Sequence, residues 1–487
     1  MHSKKLLNLK YYMILKLYLC KTERSCDMPE KDGFVPKKRR RLPAERVMAL
    51  GFLLIILTGS LLLMLPAASI DRTVTPFPDT LFTSVSATCV TGLVVVDTGT
   101  HWSLFGQCVI LCMIQIGGLG FMSFALMLAG TFRQKASPRV RNLTAQSLGM
   151  DSVDGMQKFV RRIFCGTAVI EGTGALLLML RTIPMLGFGR GVFAGIFISI
   201  SAFCNAGFDP LGGIYGEFAS LTNADSDPLL LLTCAALVIL GAAGFLVWND
   251  IWEQLRGGRK RGRRMSIYSR FILCLTAILL LGGTVLILFF EWDNPDTIGG
   301  MPFGEKLLQA FFQSVTTRTA GFDAIGQSAM TDCAKAVSMI LMFVGGASGS
   351  TAGGIKVGTF GVLCVTVLST LRGGRDINVM HRRLPHETVR RALCITFFVL
   401  SAVFVWAFLL CAANGCPLED ALYECFSAFC TVGLSLSLTP TLGVGSRMLL
   451  AAAMYCGRVG ILTLSLALAG KEGEDAITYP EAHILIG

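Results

Sequence analysis

Charge is scarce in this sequence. Asp, Glu, Lys and Arg make up only 15% of its 487 residues, where a soluble domain carries about 25%. Hydrophobic residues make up 53%, so the chain reads as a polytopic membrane protein before any motif is considered. Other absences remove whole classes of chemistry. The five histidines form no HExxH, which leaves hydrolytic metal chemistry without support. None of the 17 cysteines forms a CxxC pair, and many are scattered through apolar runs (Cys112, Cys165, Cys234, Cys274, Cys364, Cys394, Cys411). There they read as small hydrophobes, with no disulfide framework and no zinc site. A net charge of +11 suits nucleic acid, but its distribution argues otherwise, because no basic stretch interleaves with aromatics in a folded module.

What is present is a strict distribution of charge. Basic residues gather in "KKRRRLPAER" at 37–46, "RQKASPRVR" at 133–141, "RGGRKRGRR" at 256–264 and in 372–391. Acidic residues fill the alternate loops: Asp71, Asp79 and Asp97; Glu217, Asp225 and Asp227; Glu291, Asp293 and Asp296; Glu419 and Asp420. This is the positive-inside pattern, and it puts the basic loops and both termini in the cytoplasm. Residues 1–45 read as a basic, disordered N-terminus, and 471–487 as a cytoplasmic tail. The run 11–20 is too short to span a bilayer and no small-residue cleavage site follows it. Met28 opens a more conventional bacterial-looking start, so residues 1–27 are kept out of the fold.

Four segments repeat: "FTSVSATCVTGLV" from Phe82, "FISISAFCNAGFD" from Phe197, "FFQSVTTRTAGFD" from Phe311 and "YECFSAFCTVGLS" from Tyr423. Each carries a glycine ten positions after its aromatic residue, at Gly92, Gly207, Gly321 and Gly433, with spacings of 115, 114 and 112. Each unit opens with a long apolar run, at 47–67, 158–180, 267–290 and 392–413. A half-length segment ends at the glycine, and a second long run follows, at 105–130, 229–255, 333–371 and 446–469. The repeats are bounded at 46–131, 157–256, 266–371 and 390–470. A full span needs about 20 apolar residues, while 10–14 suits a re-entrant segment. The predicted fold is therefore all-α, with eight transmembrane helices in four helix–pore loop–helix repeats around one pseudo-fourfold pore. Irregular backbone at membrane depth is tolerated where it lines a watery cavity. Four such loops about one axis make a cation filter, in which carbonyls replace the hydration shell. The alternative is four external loops carrying amphipathic helices. The candidate filter residues are Val90, Thr91 and Gly92; Asn205, Ala206 and Gly207; Thr319, Ala320 and Gly321; Thr431, Val432 and Gly433. Asn205 offers a side-chain oxygen, or a stabiliser of its own turn.

These loops, above all "SVTTRTAGFD", "SAFCNAGFD" and "SATCVTGLVVVDT", resemble those of the Trk/Ktr/HKT superfamily of potassium transporters, over essentially all of 45–470. Eight helices without two extra N-terminal ones match the KtrB-type membrane subunit better than Trk-type proteins. Cys204 is a departure, since many relatives carry a second asparagine there. The resemblance implies a single chain folded like a fused four-subunit channel that takes up K+ across a bacterial plasma membrane, with Na+ as a possible activating or coupling ion. It implies a homodimer seated on a cytosolic ring of RCK-type nucleotide-binding subunits. The basic loops suit either an acidic partner or anionic lipid. No bond is made, so no enzyme activity and no resident cofactor are expected. Competing readings are a Trk-type or sodium-conducting relative and the potassium-binding subunit of a P-type ATPase complex. A secondary transporter of organic solutes would show inverted repeats.

Within the third inner run lies "GGASGSTAGGIK", spanning Gly345, Gly346, Ala347, Ser348, Gly349, Ser350, Thr351, Ala352, Gly353, Gly354, Ile355 and Lys356. Each glycine costs up to about 1 kcal/mol in a helix interior, so continuous helix is not expected. Neither GxxxxGK[ST] nor GxGxxG fits the stretch. Small, polar residues just below a filter can block a pore and still move aside, and in the resembling family this stretch is an intramembrane gate loop. The alternative is a packing kink. Arg458 sits midway along the last inner run, where such a charge costs about 2.5–3.5 kcal/mol unless it faces a cavity or bundle interior. It is expected to repel cations or to hold the gate loop through carbonyls, and Lys356 to pair with carbonyls or carboxylates. Arg318 is a candidate brace against a carboxylate such as Glu424 or Glu171.

Overall fold

Backbone groups in hydrocarbon must find partners within the chain, which makes helices the default element. The computed structural model describes residues 44–131, 141, 144–145, 155–222, 227–257, 265–374 and 376–460. The N-terminal segment up to 43, the C-terminal tail and most of the basic stretches at 133–141 and 256–264 lie outside the described residues. The first repeat comprises α1 (Ala44–Leu63), α2 (Phe77–Cys89), and the pair α3 (Leu104–Leu119) and α4 (Phe121–Thr131). The second comprises α5 (Met156–Leu186), α6 (Phe188–Cys204), α7 (Pro228–Ala242) and α8 (Phe245–Gly257). The third has α9 (Ile267–Glu291), α10 (Phe303–Thr316), α11 (Asp332–Phe343) and α12 (Val357–Leu371). A two-stranded hairpin, β1 (Asn378–Val379) and β2 (Arg382–Arg383), leads into α13 (His386–Asn414), α14 (Leu418–Cys430) and α15 (Val444–Val459) of the fourth.

Four helices, α1, α5, α9 and α13, are each long and apolar enough to cross a membrane. They stand at the head of each repeat and expose rows of apolar side chains such as Leu54, Leu180, Leu281 and Phe397. The half-length helices α2, α6, α10 and α14 are instead inside, with Phe82, Phe197, Phe312 and Tyr423 almost fully buried. In the third repeat the buried aromatic is Phe312, not Phe311. The buried aromatic of that repeat lies one position closer to its glycine than in the other three.

The inner runs differ from expectation. Only the third was expected to break, yet α3/α4 part at Gly120 (φ +80°) and α7/α8 at Gly244 (φ +89°); α15 is followed by Gly460 (φ +88°), and the rest of the run expected at 446–469 lies outside the described residues. The bend between α7 and α8 is 95°. Gly120, Gly244 and Gly460 each follow, by three residues, a closely packed glycine. A Cβ on Gly117 would lie 2.0 Å from the Thr88 carbonyl oxygen, on Gly241 2.0 Å from that of Phe203, and on Gly457 1.9 Å from that of Phe429. These three carbonyls hold equivalent places four residues before each ring glycine, so the inner helices are pressed onto the ends of their own half-length helices. Each inner helix also packs on the half-length helix of the next repeat: α3 on α6, α7 on α10, α11 on α14, and α15 back on α2. The circle closes without a gap.

Gly241→Ala is expected to destabilise the protein by about 1–3 kcal/mol through overpacking. Gly172→Ala, where a Cβ meets open space, should be neutral or slightly stabilising. Thermal unfolding of the two variants in detergent checks the contrast.

Candidate functional site

The four half-length helices end at one level, and three of them end on a left-handed cap. Val90 (φ +59°), Asn205 (φ +60°) and Thr431 (φ +52°) are those caps. Thr319 (φ +70°) holds the same place, two residues before its glycine, although α10 is capped earlier at Thr317. Non-glycine residues rarely adopt this conformation. Four at equivalent places mark a backbone held by its surroundings. In repeats one, two and four, the residue before the glycine donates its N–H back to Ser86, Ser201 or Ser427 carbonyl oxygen at 2.8 Å. The hydroxyls of the same serines accept from Gly92, Phe208 and Gly433 N–H at 3.0–3.1 Å. In repeat three, Ala320 N–H donates to the Thr316 carbonyl, and the Thr316 hydroxyl donates to the Phe322 carbonyl at 2.7 Å. The serine six residues before the glycine was legible in three of the four loops but was not singled out.

The glycines meet one another. A Cβ on Gly92 would lie 2.5 Å from the Ala206 carbonyl oxygen, on Gly207 2.8 Å from that of Ala320, on Gly321 2.4 Å from that of Val432, and on Gly433 2.1 Å from that of Thr91. The Cα of the next glycine is within 2.9–3.1 Å of each such position. The contacts run one to two, two to three, three to four and four to one. They draw the carbonyls of Thr91, Ala206, Ala320 and Val432 into a single ring. Glycine is required here for its positive φ and, independently, because no side chain fits between neighbouring segments.

On the far side of the ring from the basic loops lies a cavity of about 410 Å3, lined by the four glycines and by Asp97, Asp209, Glu217 and Asp323. The Asp97 carboxylate accepts from Gly99, Thr100 and Phe218 N–H groups, and Asp323 accepts from Ile325, Gly326 and Gln327. Gln327 also joins Gln313 and Tyr423, tying repeat three to repeat four. Burial is the main cause that pushes Asp209 up to about 6, with the negative Asp97 adding to it.

Beneath the ring, residues 344–356 are irregular, and they repair the broken helix of repeat two. Thr351 and Ala347 N–H groups donate to the Gly241 and Ala242 carbonyls at 3.4 and 2.9 Å, while Phe245 N–H donates to the Gly349 carbonyl at 2.8 Å. Those are orphan groups of a helix end and a helix start. The Thr351 hydroxyl donates to the Phe203 carbonyl at 3.1 Å and to Asn205 Oδ1 at 3.3 Å. A Cβ on Gly353 would meet the Thr431 hydroxyl. The loop therefore reaches from repeat two to repeat four directly under the ring. The Asn205 side chain is spent on this loop and on the Arg318 carbonyl (3.3 Å). The structure gives that oxygen a hydroxyl partner rather than a place on the ring.

Three cations hold the loop, all through carbonyls. Lys356 Nζ donates to the Ala352 carbonyl at 2.7 Å. Arg458 donates to Thr351 at 2.7 Å and, with its other nitrogen, to Gly117 at 2.5 Å and Gly118 at 3.3 Å. Those two carbonyls are left open by the break at Gly120. Arg318, only 3% exposed, donates to Gly345 at 2.8 Å and Thr276 at 3.3 Å. The expected carboxylate brace is thus corrected. Glu424, on α14 itself, accepts from the Ser435 and Thr439 hydroxyls, and Glu171, on α5, accepts from Gln115, so both carboxylates are used within other contacts. Cys204 lies against Gln115 Oε1 at 3.3 Å, in the same pocket as Glu171.

Fold and site together define a class: an all-α membrane protein whose four helix–re-entrant segment–helix repeats enclose one ring of backbone carbonyls. A family model described as "TrkH: Cation transport protein" matches residues 51–477, and the chain belongs to that family. It is 37% identical to the potassium/sodium uptake protein NtpJ of Enterococcus hirae, over 92% of this chain and 98% of that protein. It is 36% identical to the Ktr system potassium uptake protein B of Bacillus subtilis, over 92% and 97%. The crystal structure of the potassium transporter TrkH from Vibrio parahaemolyticus shares the fold, with a TM-score of 0.68 at 19% identity, covering 89% of this chain and 86% of that one.

The folded protein takes up a proton at Asp209 between about pH 6 and the ordinary carboxylate value near 4, so stability rises as pH falls through that window. Asp209→Asn is expected to raise the melting temperature at pH 7.5 and to flatten its dependence between pH 4 and 6. A pH series of thermal melts checks both.

Proposed function

We propose that this chain is the membrane subunit of a potassium uptake system, in which K+ moves down its electrochemical gradient through the four-segment ring. The observation that carries this is the closed circle of Thr91, Ala206, Ala320 and Val432 carbonyls, each against the next repeat's glycine. Rings of carbonyl oxygens replace an ion's hydration shell. A cation that binds there is the cargo. Val90, Asn205, Thr319 and Thr431 set the direction of the segments. The names of the relatives from Enterococcus hirae and Bacillus subtilis support potassium as that cargo, and the former supports sodium as a second ion.

Residues 345–356 act as the gate in this reading. Their hydrogen bonds to repeats two and four, and the clamp that Arg458 makes from Thr351 to Gly117, hold a closed conduction path. Bonds to carbonyls, without a carboxylate, leave the positive charges of Arg458 and Lys356 uncompensated beneath the ring, where they oppose a cation until the loop moves. The basic loops then face the cytoplasm of a bacterial cell with both termini. The chain works as a homodimer on a cytosolic ring of nucleotide-binding subunits, and it catalyses no bond-making reaction. The charge pattern and the similarity to a Ktr system protein support this assembly.

The test is growth of a potassium-uptake-deficient bacterium at limiting K+, carrying this chain with its regulatory subunit. Wild type is expected to rescue. Overpacking of about 1–3 kcal/mol at the ring makes Gly321→Ser lose K+ preference over Na+ by roughly tenfold or more. Deletion of Ala347–Ala352 is expected to leak cations. Rescue unchanged by Gly321→Ser would remove the ring as the selective element.

A further inference from the structure

On the basic-loop side, between α12 and α13, runs a groove that neither the ring nor its carbonyl contacts use. It measures about 490 Å3, and Ile267, Phe271 and Val362 make it apolar. Ser348 of the irregular loop lies on its wall, and Arg382 and Arg391 stand at its mouth. Past Thr359 and Ile395, which line both, a second cavity of about 300 Å3 continues to Lys356 and Arg458.

We propose that this groove is a binding site for an anionic phospholipid, with its phosphate at Arg382 and Arg391 and an acyl chain lying along α13 towards the loop. Three observations support that occupant. The mouth is cationic and the interior apolar, which matches the two ends of a lipid. Of the neighbouring arginines, Arg383 is paired with Asp376 at 3.1 Å and Arg391 with Glu387, whereas Arg382 has no ion-pair partner among the described residues. Finally, Phe398 of α13, which lines the second cavity, is 52% exposed, so the continuation of the groove opens at the apolar surface where acyl chains lie. The proposal rests on the chain being a membrane protein and not on which ion it carries.

The test is native mass spectrometry of the full-length protein in detergent, titrated with dioleoyl phosphatidylglycerol, dioleoyl phosphatidylcholine or soluble glycerol 3-phosphate. Phosphatidylglycerol is expected to be retained over the other two. Arg382→Gln should weaken its retention about fivefold, the worth of one basic residue at a lipid surface. Thr359→Trp, which fills the junction of the two cavities, should displace it. Melting curves of both variants establish that they are folded. Equal retention by wild type and a folded Arg382→Gln would overturn the proposal. So would glycerol 3-phosphate competing as well as the lipid, since that describes a headgroup site with no acyl chain. A wild type that retains the lipid yet transports no K+ would overturn the proposed function and leave this site standing.

Discussion

Everything in this molecule leans on four backbone segments meeting edge to edge. The carbonyl of each segment occupies the space that a Cβ would need on the next glycine. No side chain mediates the contact, so the ring has no adjustable part. Its dimensions are set by the half-length helices that carry it, and by the inner helices that press on them through Gly117, Gly241 and Gly457. Close packing of this kind transmits small displacements rather than absorbing them. A shift in one inner helix is therefore felt at the ring.

The region below the ring follows a different rule. There the helices are broken, and broken helices leave unpaired N–H and C=O groups that hydrocarbon cannot satisfy. The irregular loop of repeat three supplies partners for repeat two, and Arg458 supplies them for repeat one. Breaks and loop are mutually dependent: each would be costly without the other. The same arrangement explains how three cations are tolerated at this depth without carboxylates. Carbonyls freed by the breaks are the available acceptors, and hydrogen bonds to charged groups are the stronger ones.

Much of this was legible in the residues. Repeat spacing, hydropathy and alternating charge gave the four units, and the run of glycines from Gly345 marked the interrupted helix. Arg458 stands out in the sequence because a charge in an apolar run needs a reason. The misses share a cause. Gly120 and Gly244 give no signal in the sequence because an isolated glycine in an apolar run is compatible with a straight helix, and only the position of neighbouring segments turns each into a break. Arg318 was assigned a carboxylate because a buried charge usually has one, yet its reach ends at Gly345 and Thr276. The spacing of ten from Phe311 conceals the spacing of nine from the buried Phe312, since two adjacent phenylalanines make either register readable.

By itself, the sequence determined the four long apolar helices that head the repeats, the half-length segments that follow them and how many times the unit recurs. Those properties depend on local composition and periodicity, which a single chain carries in full. Only the tertiary structure decided that the four glycines close a ring, that Arg458 clamps Thr351 to Gly117 and that the Asn205 side chain serves the loop. These are contacts between residues more than one hundred positions apart, and a spacing along the chain does not encode which carbonyl lies within 3 Å of which nitrogen.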